Sequence, residues 1–319
     1  MIGVIGAGAF GTALAVVQAA EGRKVMLWGR DEAAMKRMRE VRENARRLPG
    51  ITLPDDLDCV SDLSALGGAQ VLLMVLPAQQ THEFLRLHAA LLPPVPVVLC
   101  AKGIDGRDFG LQSQIAAAAR SDHPLAVLTG PGFAGEIALG LPTALTLACA
   151  DARMGRRLQA ALSASRLRLY LSDDMTGAQI GGALKNVIAI ACGMIEGAGL
   201  GASAQAALMT RGFAEMTRLA VAMGARAETL AGLSGLGDLS LSCNSMQSRN
   251  FGAGHAIGAG QDRPGGTVEG VATARAACGL AARHGVEVPV AAAVADVLDE
   301  ALTLAQAMDA LLSRPLKEE

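Results

Sequence analysis

Aromatic residues are scarce in this 319-residue chain, at 3%, although hydrophobic residues reach 51%. Its cores must therefore be filled with Ala, Val, Leu, Ile and Met, which pack finely and suit helices. A surplus of one charge is also missing. The net charge is −2 and the basic residues form no block, which argues against a nucleic-acid footprint and for a small-molecule partner. The six cysteines, Cys59, Cys100, Cys149, Cys192, Cys243 and Cys278, lie far apart without a CxxC pair. Neither a zinc site nor a disulfide framework follows, and they read as buried small hydrophobes in a reducing compartment. His82, His88, His123, His255 and His284 are scattered, so no metal cluster is expected and each reads as a surface or singly packed residue. The apolar start at Met1 runs into a Gly-rich turn with no basic region before it, unlike a signal peptide. The longest apolar stretches read as interrupted before membrane-spanning length. The expectation is a cytoplasmic protein without stable membrane insertion.

The length exceeds what one core usually organises, so two domains are expected. Up to about residue 171, short apolar runs alternate with amphipathic stretches, the pattern of a parallel sheet covered on both faces. The runs predict strands over 2–5, 24–28, 71–75, 95–101, 125–128 and 144–148, with helices over 11–20, 31–45, 81–91 and 111–120. After Tyr170 strands vanish from the pattern. Ala-rich periodicity predicts helices over 177–198, 204–223, 271–284 and 290–302. The boundary is placed near Asp173, giving domains 1–173 and 174–319, and the charged tail 317–319 is the one segment that reads as disordered.

Gly6-Ala7-Gly8-Ala9-Phe10-Gly11 follows the first strand directly and opens a helix, the context a dinucleotide fingerprint requires. Gly6 permits the tight turn, Gly8 lets a pyrophosphate approach the backbone, and Gly11 lets helix pack on strand. The fold class that follows is an α/β Rossmann-type doubly wound sheet, succeeded by an all-α domain. The second strand ends in Gly29-Arg30-Asp31. A carboxylate at that tip would grip the ribose 2′-hydroxyl of NAD, whereas Arg30 can pair with the 2′-phosphate of NADP. The cofactor is therefore NADP or NAD, with NADPH favoured; Asp31 reads equally as the N-cap of the next helix.

Only five of the 28 basic side chains are lysines, and two of those stand in uncharged surroundings. Lys102 follows a predicted strand, Val97-Val98-Leu99-Cys100-Ala101, at the carboxyl edge of the sheet where ligands of open α/β folds bind. Lys185 interrupts an apolar helix, 181–190, that is rich in small residues. Burying an ammonium lowers its pKa towards general-base values, while a snorkelling lysine is the plainer alternative for either residue alone.

These residues belong to a longer ordered set: Ala101-Lys102-Gly103, Gly130-Pro131-Gly132-Phe133-Ala134, Gly182-Ala183-Leu184-Lys185-Asn186-Val187, Thr210-Arg211-Gly212, Gly235-Leu236-Gly237-Asp238-Leu239, Ser248-Arg249-Asn250 and Val268-Glu269-Gly270. Over almost its whole length the chain resembles the bacterial NAD(P)-dependent sn-glycerol-3-phosphate dehydrogenases. The resemblance implies interconversion of dihydroxyacetone phosphate and sn-glycerol 3-phosphate, supply of the glycerophospholipid backbone, and a homodimer. It implies Lys185 as proton acceptor and Lys102, Gly130, Gly132, Asp238, Ser248, Arg249 and Asn250 as substrate residues. It likewise implies Gly6, Gly8, Ala9, Phe10, Gly11, Arg30, Lys102, Ala134, Arg249, Thr267 and Glu269 as cofactor residues, with no metal. Without it, Ser248-Arg249-Asn250 reads as a solvated loop and Asp238 as a turn residue. Two positions depart from the family pattern: Gly132, where Ser or Thr is common, and Gly135, where Lys is frequent. Other readings that use the same motifs are a related hydroxy-acid or sugar-phosphate reductase and a non-catalytic NADPH-binding sensor.

Overall fold

The computed structural model describes residues 1–121, 123–263 and 265–313; the tail 317–319 lies outside them. The chain forms two compact units. The first comprises Met1–Ala101 and Leu111–Ala178. Its strands are β1 (Ile2–Ile5), β2 (Val25–Trp28), the pair β3 (Glu43–Asn44) and β4 (Leu48–Thr52), β5 (Leu57–Val60), β6 (Val71–Met74), β7 (Val97–Leu99), β8 (Leu125–Thr129), β9 (Thr143–Ala148) and β10 (Leu167–Ser172). Its helices are α1 (Ala9–Ala20), α2 (Glu32–Val41), α3 (Ala78–His88), α4 (Gln112–Ala119), α5 (Ala134–Ala138) and α6 (Ala152–Leu162). Eight strands make one sheet in the order β10-β9-β8-β7-β6-β1-β2-β5, and the chain crosses over from β1 to reach both sides of it. All neighbours are parallel except β8 and β9. β1 lies between β2 and β6 with all four residues buried, as a strand covered on both faces must be.

The expected elements are present, with several differences, among them the helices α5 and α6, which the sequence pattern did not predict. α2 stops at Val41 rather than running on, because Arg42 turns left-handed with φ 53° and leads into the β3–β4 pair. β5 was hidden behind that hairpin. β10 carries strand structure past Tyr170; its Arg168, Tyr170 and Leu171 are exposed at the sheet edge, which dilutes the apolar signal. The sheet is mixed rather than wholly parallel.

The second unit comprises Lys102–Gly110 and the chain from Gln179. Its helices are α7 (Met175–Gly197), which starts in the first unit, α8 (Ala202–Ala222), α9 (Ala227–Ala231), α10 (Asp238–Cys243), α11 (Arg249–Gly258), α12 (Glu269–Arg283), α13 (Pro289–Leu298) and α14 (Leu304–Leu312). One π turn, Leu233–Gly237, leads into α10. α9, α10, α11 and α14 escape the sequence pattern because they are short or interrupted by glycine. α7 corrects the reading of apolar length: its 23 residues, with a window of mean hydropathy 1.4, are long and apolar enough to cross a membrane. That window is 100% buried inside the protein, as in the central helix of a globular core. Gly193 of α7 and Gly254 of α11 lie where a Cβ would strike the opposite backbone, so the two helices touch main chain to main chain.

Candidate active site

In the first unit, Gly6 sits between β1 and α1 with φ +117°, and a Cβ there would meet the carbonyl oxygen of Val75 at 2.5 Å. A Cβ on Gly11 would collide with the Gly6 carbonyl, whereas Gly8 has open space beside it. Each glycine thus has its own reason: backbone sign, helix-on-strand packing, and a clear approach. Gly8 is the N-cap of α1 and provides no side-chain cap, and the first turn, which includes Ala9 and Phe10, carries no acidic residue. An N-terminus so arranged favours a phosphate. The residues fit a dinucleotide.

Sequence reasoning missed what braces this turn. Buried Asn44 donates to the Ala7 carbonyl at 3.1 Å and to Thr12 Oγ1 at 2.8 Å. The sequence pattern places it in a helix reaching residue 45, whereas it stands on β3. At the tip of β2, Arg30 is exposed, and Asp31 caps α2 by accepting from the Ala34 amide at 2.9 Å. β2 is tied to the glycine turn by the Gly6 amide, which donates to the Trp28 carbonyl at 2.9 Å. Gly130, with φ +133°, ends β8, and Ala134 opens α5, which packs on α1. A side chain at Gly132 would press on the flexible end of Ile137, while Gly135 faces open space.

The second unit brings together three charges from distant parts of the chain. Lys185 on α7 donates to Asp238 Oδ1 at 2.8 Å and to Ser242 Oγ at 2.8 Å. Lys102 donates to the other carboxylate oxygen, Oδ2, at 2.7 Å. Asp238 is 1% and Lys185 8% exposed, so neither the turn nor the snorkelling reading holds. Burial pushes the Lys185 ammonium below the ordinary lysine range; Asp238 opposes that shift and Lys102 adds to it. Burial would raise the Asp238 carboxyl, but the two lysines outweigh it and hold the pKa below the ordinary value. Ser242 was not singled out in the sequence, although it stands one helical turn after Asp238, at i+4 on the same face.

A second chain of hydrogen bonds adjoins this cluster. Asn186 donates to the Lys102 carbonyl at 2.9 Å, Asn250 donates to Asn186 Oδ1 at 2.8 Å, and the Gly270 amide donates to Asn250 Oδ1 at 2.9 Å. Glu269, next to Gly270, carries a negative charge that favours the protonated form of Lys185 and so opposes the effect of burial. Ser248-Arg249-Asn250 is the start of α11 rather than a loop: Ser248 is buried and caps the helix by accepting from Phe251 at 3.3 Å. Arg249 and Thr267 are exposed. Among the described residues no group of three or more His, Cys, Asp or Glu side chains is arranged for a metal ion.

The glycine turn at the carboxyl end of a central strand of a doubly wound sheet is the geometry of a dinucleotide-binding protein, and comparison with known proteins narrows that class to an oxidoreductase family. Family models for the NAD-dependent glycerol-3-phosphate dehydrogenase N-terminus and C-terminus match residues 1–155 and 174–309. The chain belongs to the NAD-dependent glycerol-3-phosphate dehydrogenase family. It is 53% identical to the glycerol-3-phosphate dehydrogenase [NAD(P)+] of Ruegeria sp. (strain TM1040), covering 100% of this chain and 99% of the relative. The corresponding figures for the Paracoccus denitrificans enzyme are 52%, 100% and 99%. The crystal structure of glycerol-3-phosphate dehydrogenase from Coxiella burnetii superposes with a TM-score of 0.94 at 38% identity, over 98% of each chain.

Proposed function

We infer that this chain is an oxidoreductase that interconverts dihydroxyacetone phosphate and sn-glycerol 3-phosphate with NAD(P)H. The observation that carries the inference is the buried Lys185–Asp238–Lys102 cluster, with a lysine whose pKa is lowered by burial. Residues 1–173 serve dinucleotide binding, with Gly6, Gly8, Ala9, Phe10 and Gly11 facing the pyrophosphate and Arg30 the adenosine end. Residues 174–319 serve substrate binding and catalysis, to which the loop from Lys102 contributes a lysine. The bound nicotinamide supplies or accepts the hydride.

The proton is the protein's task. In reduction, the Lys185 ammonium donates to the carbonyl oxygen of dihydroxyacetone phosphate as negative charge develops there; in oxidation the neutral amine takes the hydroxyl proton back. A depressed pKa serves both directions, making the ammonium a stronger acid and the amine available nearer neutrality. Asp238 and Ser242 use two of the three Lys185 N–H directions, which orients the remaining one. Arg249 offers a planar cationic fork suited to the substrate phosphate, beside Ser248. Gly130 and Gly132 offer backbone rather than side-chain contact.

The enzyme favours NADPH through Arg30, acts in the cytoplasm as a homodimer and supplies the glycerophospholipid backbone. Six cysteine thiols, five of them buried, suit a reducing compartment. The test is to mix purified protein, NADPH and dihydroxyacetone phosphate and follow nicotinamide absorbance. Loss of the reduced band with formation of sn-glycerol 3-phosphate is expected; turnover of a 2-keto acid and none of dihydroxyacetone phosphate would overturn the reading.

A further inference from the structure

Lys102 leaves the sheet on a loop, Lys102–Gly110, that packs with the helical unit. One end of this loop is held by Asn186, which donates to the Lys102 carbonyl at 2.9 Å. The Asp105 amide donates to the Gly110 carbonyl at 3.1 Å, closing the distal half on itself. Phe109 stands in that half with φ 57°, a left-handed backbone that a residue with a Cβ adopts only under constraint. The constraint is visible on α12. The Phe109 ring lies so close to Gly279 that a Cβ at position 279 would overlap it, and the Arg283 guanidinium covers the ring at 4.6 Å from its centroid. Arg283 also donates to the Asp108 carbonyl. A bare glycine, an aromatic ring and a cation form a clasp at the far end of the loop from which Lys102 reaches Asp238.

We propose that Phe109, seated on Gly279 under Arg283, is a positioning residue that fixes the Lys102 loop so that the Lys102 ammonium stays on Asp238. The inference rests on the reading of the Lys185 cluster as the acid–base site. Lys102 reaches Asp238 at 2.7 Å from this loop, so the contact is kept in register by what anchors the loop backbone. Asn186 fixes one end and the clasp the other. If the clasp opens, Asp238 loses one of its two cations and Lys185 loses a neighbouring positive charge. Both changes favour protonated Lys185, with Asp238 and Glu269 the carboxylates that influence it.

The experiment compares Phe109→Ala and Gly279→Ala with wild type, measuring kcat and KM for dihydroxyacetone phosphate, the pH profile of sn-glycerol 3-phosphate oxidation, and NADPH binding. Gly279→Ala keeps both clasp side chains in the chain, replaces a helix-interior glycine with a better helix former, and pushes the Phe109 ring off its seat. Each variant should lose about tenfold or more in kcat/KM, since small misplacements of catalytic groups cost up to about a hundredfold. The rising limb of the oxidation profile should move to higher pH, and NADPH affinity should stay within about twofold of wild type. Shortening the ring side as well, in Phe109→Leu with Gly279→Ala, should recover part of the loss. Wild-type kinetics or an unshifted limb in folded Gly279→Ala overturns the clasp. Failure of the wild-type protein to turn over dihydroxyacetone phosphate would instead overturn the functional reading beneath it.

Discussion

The glycine turn and the lysine–aspartate cluster solve opposite problems. The first leaves side chains out, exposing backbone amides at the head of α1 for the proposed dinucleotide. The second works by bringing side chains in, placing three charges and Ser242 where water is largely excluded. The turn is local: six consecutive residues and one brace, Asn44, complete it. The cluster is assembled from residues 102, 185, 238 and 242 and depends on α7 and α10 being packed correctly. A local backbone device and a dispersed side-chain device should fail differently when altered, and that difference can be measured.

The largest effect is expected at Lys185. Lys185→Ala removes the proposed proton donor and should lower kcat by about 10²–10⁴-fold, the usual contribution of general acid–base catalysis. Retention of more than about a tenth of the wild-type rate, about 1.4 kcal/mol or less of barrier, would show that the proton comes from elsewhere. The same residue sets a pH sign. Oxidation of sn-glycerol 3-phosphate should rise as pH passes upward through the depressed Lys185 pKa, while reduction, which needs the ammonium, should fall over that range. Identical slopes in both directions would remove Lys185 from the role.

Asp238→Ala should be felt in stability as well as rate, because it leaves two ammonium groups without their shared carboxylate. Breaking a buried pair in this way costs about 3–5 kcal/mol, readable by denaturant unfolding. In the wild type, the Asp238 pKa is held below its unfolded value. Its contribution is therefore fully present above the ordinary carboxylate pKa and is lost as pH falls through the lower, folded value. A variant as stable as wild type would mean that water, not Asp238, balances the lysines.

Much of the first device was legible in the sequence, because glycines placed directly after one strand and before a helix have few other uses. Lys185 was legible for a related reason, as a lone charge in an apolar helix. Asp238 and Ser248-Arg249-Asn250 were not: before folding, their neighbours suggest a turn and a solvated loop, and only the resemblance pointed to a site. Asn44 and Ser242 were invisible because their importance lies in contacts at long sequence separation. The hairpin that delivers Asn44 was hidden by helix-like periodicity that runs through Arg42, whose left-handed backbone ends α2.

Smaller effects are expected at the exposed arginines. Arg30→Ala should reduce a preference for NADPH over NADH of about ten- to hundredfold in kcat/KM, the range given by a charge-assisted contact of about 1.5–3 kcal/mol. Exposure at the β2 tip tends to weaken the contact. An unchanged ratio at matched ionic strength would take Arg30 out of cofactor choice. Arg249→Lys keeps the charge and loses the fork, so KM for dihydroxyacetone phosphate should rise by about tenfold or less. Unaltered kinetics would move phosphate recognition to another residue.

The most direct test of the division of labour is equilibrium NADPH binding by the same Lys185→Ala preparation whose turnover is lost. If, as proposed, the backbone of the glycine turn holds the pyrophosphate and the lysine acts on the reacting oxygen, Kd should stay within about twofold of wild type, less than about 0.5 kcal/mol. A Kd weakened by about tenfold or more in the folded variant would contradict it, showing that Lys185 is part of the dinucleotide site.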